Sequence, residues 1–258
     1  MRIVIKVGTS TLAYPTGRLN IRHIEKLCKV VSDIKNAGEE IILVSSGAVG
    51  MGMGKLGLAR RPEDLPLKQA AAAVGQCELM YVYDKLFGEY NHTVAQILLT
   101  AANLRDASQH ENFINTLETL LRLQALPIIN ENDTVATHEL RIGDNDTLAA
   151  VAAASAGAKL LILLTDIDGL YTADPHRDPN AKLLKTVTAV TPEIEALAGG
   201  SGSKVGTGGM VTKLKAAKTV MAAGCDMVIA NGRDPDILYD IVAGKDAGTH
   251  FLAERKEP

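Results

Sequence analysis

The chain has 258 residues, 47% of them hydrophobic and 22% charged, which is enough apolar side chain for a sizeable core in one large domain or two lobes. Its 27 basic and 30 acidic residues leave a formal net charge of -3 with no run of five like charges, so neither a nucleic-acid nor a membrane surface is suggested and small partners are expected. Aromatic residues are 3% of the chain and tryptophan is absent, so base-stacking platforms for single strands would be hard to assemble.

In chain order, RIVIKV at 2–7 predicts a strand. A helix comes next from the cap residue Asn20, with Ile21, Ile24, Leu27, Cys28, Val31 and Ile34 on one face and Gly38 as its stop. EIILVS at 40–45 is the next strand, and the Ala-rich segment 66–88 reads as a long helix. TVAQILL and LPIIN, ending at Leu99 and Asn130, are strands; 145–156 is a second Ala-rich helix. KLLILL and DMVIA, strands that start at Lys159 and Asp226, enclose a helix over 209–223 that ends at Gly224. Alternating strands and helices imply an α/β fold, an αβα sandwich with a mainly parallel central sheet, whose ligands sit beyond the C-terminal ends of the strands.

The segments after the strands therefore carry the functional signal. GTS, SGAVGMGMG, ENDTVATHELRIGDND and TDIDGLYTADP are all rich in Gly, Ser, Thr, Asp and Asn, and at one rim they would line a shared cleft. No internal repeat or low-complexity linker interrupts the chain, and ADPHRDPNAK at 173–182 reads as a surface loop. Cys28, Cys77 and Cys225 are odd in number and in no CxxC spacing, which argues for reduced thiols, and with no signal-peptide core or membrane-length apolar run the expectation is a cytoplasmic protein.

Several motifs fail on context. GMGKLG at 52–57 matches GxGxxG, but it starts well after a strand and leads into LARRPEDLP instead of a helix, so a dinucleotide fingerprint is rejected. Lys55 is followed by Leu56, not by the Ser or Thr of a P-loop, and DIDG at 166–169 lacks the remaining ligands of a calcium loop. No HExxH or GxSxG occurs.

Two lysines carry more weight. SKVGTGGMVTKLKAA, from Ser203, sets Gly206, Gly208 and Gly209 against the start of a helix bearing Lys213, where backbone N–H groups and the helix dipole suit phosphate. Lys6 ends the first strand beside Gly8 and should point at the rim. Lysines from opposite ends of the chain, both beside glycine-rich backbone, suit the negative charge spread over a transferring phosphoryl group. GDND at 143–146 opens a helix, and one cap needs only one of Asp144 and Asn145. The surplus polar residues, with Asn130 and Asp133 ahead of them, are available to orient lysines, hold a substrate ammonium or coordinate magnesium. SSGA at 45–48 is either a plain turn or a nest for a carboxylate.

Taken together, KVGTS, VSSGAV, KQAAAAVGQCELM, INENDTVATHELRIGDND, LLTDIDGLYTADP and GTGGMVTKLKAA, spread from Lys6 to Ala217, resemble the amino acid kinase family, and INENDTVA running into GDND resembles its glutamate-phosphorylating members. The resemblance implies ATP-dependent phosphorylation of the L-glutamate side-chain carboxylate, the first step toward proline. It implies glutamate binding by Ser46, Asp133 and Asn145. It implies ATP binding by Lys6, Thr165, Asp166 and the run Thr207, Gly208, Gly209, Met210, Val211, Thr212 and Lys213. Lys6 and Lys213 would stabilise the transferring group, Asp146 would organise them, and Gly8 and Gly47 would supply main-chain donors. Mg2+ would bridge ATP phosphates through water and phosphate oxygens, with no dedicated protein metal site. About 1–150 would form the glutamate half and about 151–258 the ATP half of one kinase domain. A homo-oligomer inhibited by proline is expected, in a short form without a C-terminal PUA domain. GMGMG after SSGAV departs from the more Ala-rich family pattern. The alternatives are the same fold with another acceptor (acetylglutamate, aspartate, carbamate or UMP) and a non-enzymatic amino-acid sensor.

Overall fold

The structure is a computed structural model that describes residues 1–14, 18–136, 144–175, 177–198 and 209–253. Its strands are β1 (Arg2–Val7), β2 (Glu40–Ser45), β3 (Val94–Leu99), β4 (Leu126–Glu131), β5 (Leu160–Thr165), β6 (Thr186–Val187), β7 (Asp226–Asn231) and β8 (Thr249–Phe251). They form one sheet in the order β3-β4-β2-β1-β5-β7-β8-β6, in which every pairing is parallel except β7 with β8. The αβα expectation is met.

The helices are α1 (Thr9–Leu12), α2 (Ile21–Asn36), α3 (Ala48–Leu56), α4 (Leu65–Gly88), α5 (Ala101–Arg105), α6 (Ala107–Arg122), α7 (Asn145–Ser155), α8 (Pro192–Ala198), α9 (Met210–Ala222) and α10 (Ile237–Val242). Caps explain several starts: the Asn20 side chain accepts from the His23 N–H, Asp64 from Leu67 and Asp106 from Gln109. The six long strands and the helices α2, α4, α7 and α9 lie within a residue or two of their predicted bounds.

Several features depart from the sequence expectation, among them the short helices α1, α8 and α10, which carry no sequence assignment. The stretch after β2 is helical over α3, and GMGKLG lies inside and just past that helix, capped by the left-handed Gly57. Its helical backbone already excludes a phosphate loop, whatever the composition of LARRPEDLP beyond it. The segment 101–122, which carries no sequence assignment, forms α5 and α6 behind the cap residues Thr100 and Asp106. The short strands β6 and β8 extend the sheet beyond β7.

Two cores sit on opposite faces of the sheet. Ile3, Ile5 and Val7 of β1 pack with Leu27 of α2 and with Tyr83 and Phe87 of α4. Val4 packs on the other side with Leu148, Ala149 and Ala152 of α7 and Leu214, Ala217 and Val220 of α9. The strand period of two thus assigns the next even position, Lys6, to the α7 and α9 layer.

Candidate active site

β1 lies between β2 and β5, so the chain runs outward to one side of β1 for its first half and to the other for its second. In open α/β sheets such a reversal marks a crevice at the C-terminal ends of the strands on either side of it. α7 and α9 begin beside it, and their alanines, Ala149 and Ala153 against Ala216 and Ala217, belong to one buried cluster.

Asp146, in the first turn of α7, is 1% exposed. Lys6 Nζ lies 2.8 Å from its Oδ1 and Lys213 Nζ 3.0 Å from its Oδ2. Thr212 Oγ1 stands 3.0 Å from Oδ2 and 2.7 Å from the Gly209 carbonyl, between which it shares one hydroxyl proton. Burial alone would raise the carboxyl pKa, yet the two ammonium groups overcome it and hold Asp146 at about 2. The group of one carboxylate and two lysines keeps a net positive charge, with N–H donors of both lysines left for a ligand.

The residues of GDND divide the work among them. Asp144 Oδ1 accepts from the backbone N–H groups of Asp146 at 2.8 Å and Thr147 at 2.9 Å, which makes it the cap. Asn145 turns toward β2 and β4, where its Nδ2 lies 2.7 Å from Ser46 Oγ, 2.8 Å from the Ser45 carbonyl and 3.0 Å from Asn130 Oδ1. Asp146 takes the lysines. Capping therefore accounts for one of the three, as the surplus of polar residues suggested.

Ser46 is presented by a turn through Gly47, whose φ of 102° is left-handed and favours glycine. Beneath the turn, Ser45 Oγ is 2.9 Å from the hydroxyl of buried Tyr83, and Asn130 Nδ2 donates to Gln76 Oε1 at 2.8 Å. Both supports come from α4. Its backbone is pressed against α3: a Cβ at Gly75 would meet the Ala48 carbonyl oxygen at 1.8 Å, and one at Gly52 would meet that of Ala71 at 1.7 Å.

The other predicted residues are more dispersed. Thr165 ends β5 and donates to Asp166 Oδ1 at 3.1 Å, and Asp166 is exposed. Gly209 is the N-cap of α9 and offers no side-chain cap; Met210 is buried and Val211 exposed. Asp133 is half-buried in the turn after β4. Thr207 and Gly208 lie outside the described residues, as does Gly206. In DIDG, Asp168 accepts from Asn231 at 2.8 Å and Tyr171 at 3.0 Å, tying the loop to the end of β7. Sequence reasoning assigns no role to Gln76 or Tyr83. The available signal is two polar residues seven apart, on the face of α4 that also carries Ala72, Leu79 and Phe87.

The donor set fits a nucleotide's phosphates: two lysines on one carboxylate, beside the first turn of α9, whose N-cap Gly209 has no side chain to occupy the backbone N–H groups. Asp146, with both oxygens committed to ammonium groups, is not a free ligand for a cation. Among the described residues no group of three or more His, Cys, Asp or Glu side chains could hold a metal ion.

The Amino acid kinase family profile matches residues 1–231, and the chain belongs to that family. It is 53% identical to the glutamate 5-kinase of Clostridium perfringens strain 13, over 99% of this chain and 97% of that one. It is also 53% identical to the glutamate 5-kinase of Moorella thermoacetica, over 97% of this chain and 66% of the longer relative. The carbamate kinase of Giardia lamblia bound to AMP-PNP superposes with a TM-score of 0.70 at 16% identity over 98% of both chains, a likeness of fold.

Proposed function

We propose that this chain phosphorylates the side-chain carboxylate of L-glutamate with ATP, giving L-glutamyl 5-phosphate and ADP, as the entry to proline biosynthesis. The observation that carries the proposal is the pairing of Lys6 and Lys213 on buried Asp146, next to an Asn145–Ser46 contact in the same crevice. Its closeness over nearly the whole chain to relatives named glutamate 5-kinase supports the choice of acceptor.

The two helix N-termini divide the crevice. α7 is already capped by the carboxylate of Asp144, whereas α9 has no side-chain cap, so phosphate falls to the α9 side and the acceptor to the side of Ser46, Asn145 and Asp133. On this reading residues about 1–150 form the acceptor half and about 151–258 the nucleotide half. Gly209 to Lys213, with Thr165 and Asp166, hold the nucleotide, and Gly8 and Gly47 add main-chain donors. Mg2+ would ride on phosphate oxygens and water and neutralise phosphate charge.

Lys6 and Lys213 then face the charge that develops as a glutamate carboxylate oxygen bonds to the terminal phosphorus and the bridging bond to ADP breaks. No general base is needed, because that carboxylate is ionised at pH 7. Asp146 sets the separation and direction of the two ammonium groups, and Asn145, Ser46 and Asp133 align the nucleophile.

The test is release of ADP from Mg-ATP with L-glutamate as sole acceptor, with hydroxylamine present to trap acyl phosphate as hydroxamate. Glutamate-dependent hydroxamate is expected. Its absence from folded protein would overturn the reading, and an acceptor screen would then separate another kinase from a sensor.

Three narrower statements belong to the same reading. Proline competes with glutamate; ADP release unchanged by proline at subsaturating glutamate would remove this. The chain forms a homo-oligomer; a monomer by sedimentation would remove that. It is cytoplasmic, in keeping with free Cys28, Cys77 and Cys225 and with the absence, among the described residues, of any helix long and apolar enough to cross a membrane.

A further inference from the structure

Beneath the acceptor side of the crevice, one buried polar group has no partner. Gln76, in the middle of α4, is 8% exposed, and its Nε2 makes no hydrogen bond. The orientation of that amide is fixed by the backbone. Asn130 Oδ1 accepts from the Glu131 N–H at 2.8 Å, and a backbone N–H can only donate. The other end of the Asn130 amide is therefore Nδ2, and the atom it meets 2.8 Å away must be Gln76 Oε1. Exchanging the ends of the Gln76 amide would set two N–H groups against each other. The orphan is thus a donor, and it belongs to the cluster that continues through Asn130 to Asn145 and Ser46.

A buried donor left unpaired is costly, so its persistence calls for a partner that arrives later. Its neighbour Gly75 lies against the carbonyl of Ala48, the first residue of α3 beyond the Ser46–Gly47 turn, and against the Gly52 nitrogen in the middle of that helix. The backbone that carries Gln76 is therefore packed closely on the helix that follows Ser46.

We propose that Gln76 is a further acceptor-binding residue: its Nε2 donates to a carboxylate oxygen of the bound amino acid, while its Oε1 holds Asn130 in the orientation that receives Asn145. This rests on the glutamate reading above. A neutral N–H donor can serve a carboxylate and cannot serve an ammonium, so the partner is a carboxylate of glutamate and not its amine. Gln76 touches no phosphate in this scheme, and its effect is confined to the acceptor.

The test measures initial rates of hydroxamate formation for the wild-type chain, Gln76→Met and Gln76→Glu, varying L-glutamate and Mg-ATP separately across pH 6.5 to about 9. Gln76→Met, of similar size but without hydrogen-bonding groups, should raise the glutamate KM about tenfold or more and leave the ATP KM within about twofold. Gln76→Glu keeps an oxygen for Asn130 and can donate only while protonated, and burial raises its pKa. Its glutamate KM should therefore climb with pH while the wild-type value stays flat. An unchanged glutamate KM in Gln76→Met overturns the proposal and leaves the glutamate reading standing. If Gln76→Met does not fold, Gln76→Glu decides: a wild-type glutamate KM at every pH overturns the donor role. Wild-type protein that forms no glutamate-dependent hydroxamate overturns both.

Discussion

Lys6 of β1 and Lys213 of α9 contact opposite oxygens of a single buried carboxylate, at 2.8 and 3.0 Å from Asp146. Two like charges brought so close repel, and only the shared anion between them makes the arrangement stable in a dry crevice. Lys213→Ala should lower kcat about 100-fold or more, the usual cost of losing one preorganised donor to transition-state charge. Turnover near the wild-type level would remove Lys213 from the chemistry.

Asp146 also makes the chain's stability depend on acid. Its folded pKa, about 2, lies below the ordinary value of 3.8, so the contribution is fully present above pH 4 and is lost as pH falls from about 4 toward 2. The window corresponds to about 2 kcal/mol. Urea denaturation of the wild type between pH 5 and 2.5 should show this loss, and Asp146→Asn should lack it. Equal slopes in the two proteins would mean that the carboxylate is not held ionised by the lysines.

The crossing of α3 and α4 is the next place to test. Gly75→Ala would drive a methyl group into the Ala48 carbonyl oxygen 1.8 Å away, and backbone on both sides leaves it no room. A loss of about 1–3 kcal/mol or more is expected, together with a raised glutamate KM. Gly88→Ala, near the end of the same helix with nothing within 4 Å, is the control and should be neutral or stabilising by about 1 kcal/mol. Equal effects at the two positions would refute the close crossing.

Asp133→Ala should raise the glutamate KM through loss of an ammonium partner, with the ATP KM little changed. If only the ATP KM rose, the division of the crevice into acceptor and nucleotide sides would be mistaken.

The layers of this fold are legible because their periods are clean. β1 alternates between two cores, α2 keeps one apolar face, and both have recognisable ends. α3 is hidden because GMGMG looks like loop composition, whereas Gly52 is there to admit the α4 backbone, a tertiary reason that no local window contains. β6 and β8, of two and three residues, are too short to show a period. Within the site, Asp146 is legible as surplus to capping in GDND. Gln76 is not, because an amide on the apolar face of an Ala-rich helix looks like a core position until its distance to Asn130 is known.

The carboxylate of Asp146 has a consequence for the order in which the protein becomes competent. It is emplaced on α7, with one lysine from the beginning of the chain and the other from far downstream on α9. The cluster of one carboxylate and two lysines therefore exists only once β1, α7 and α9 have docked together, so it depends on contacts between residues far apart in the chain.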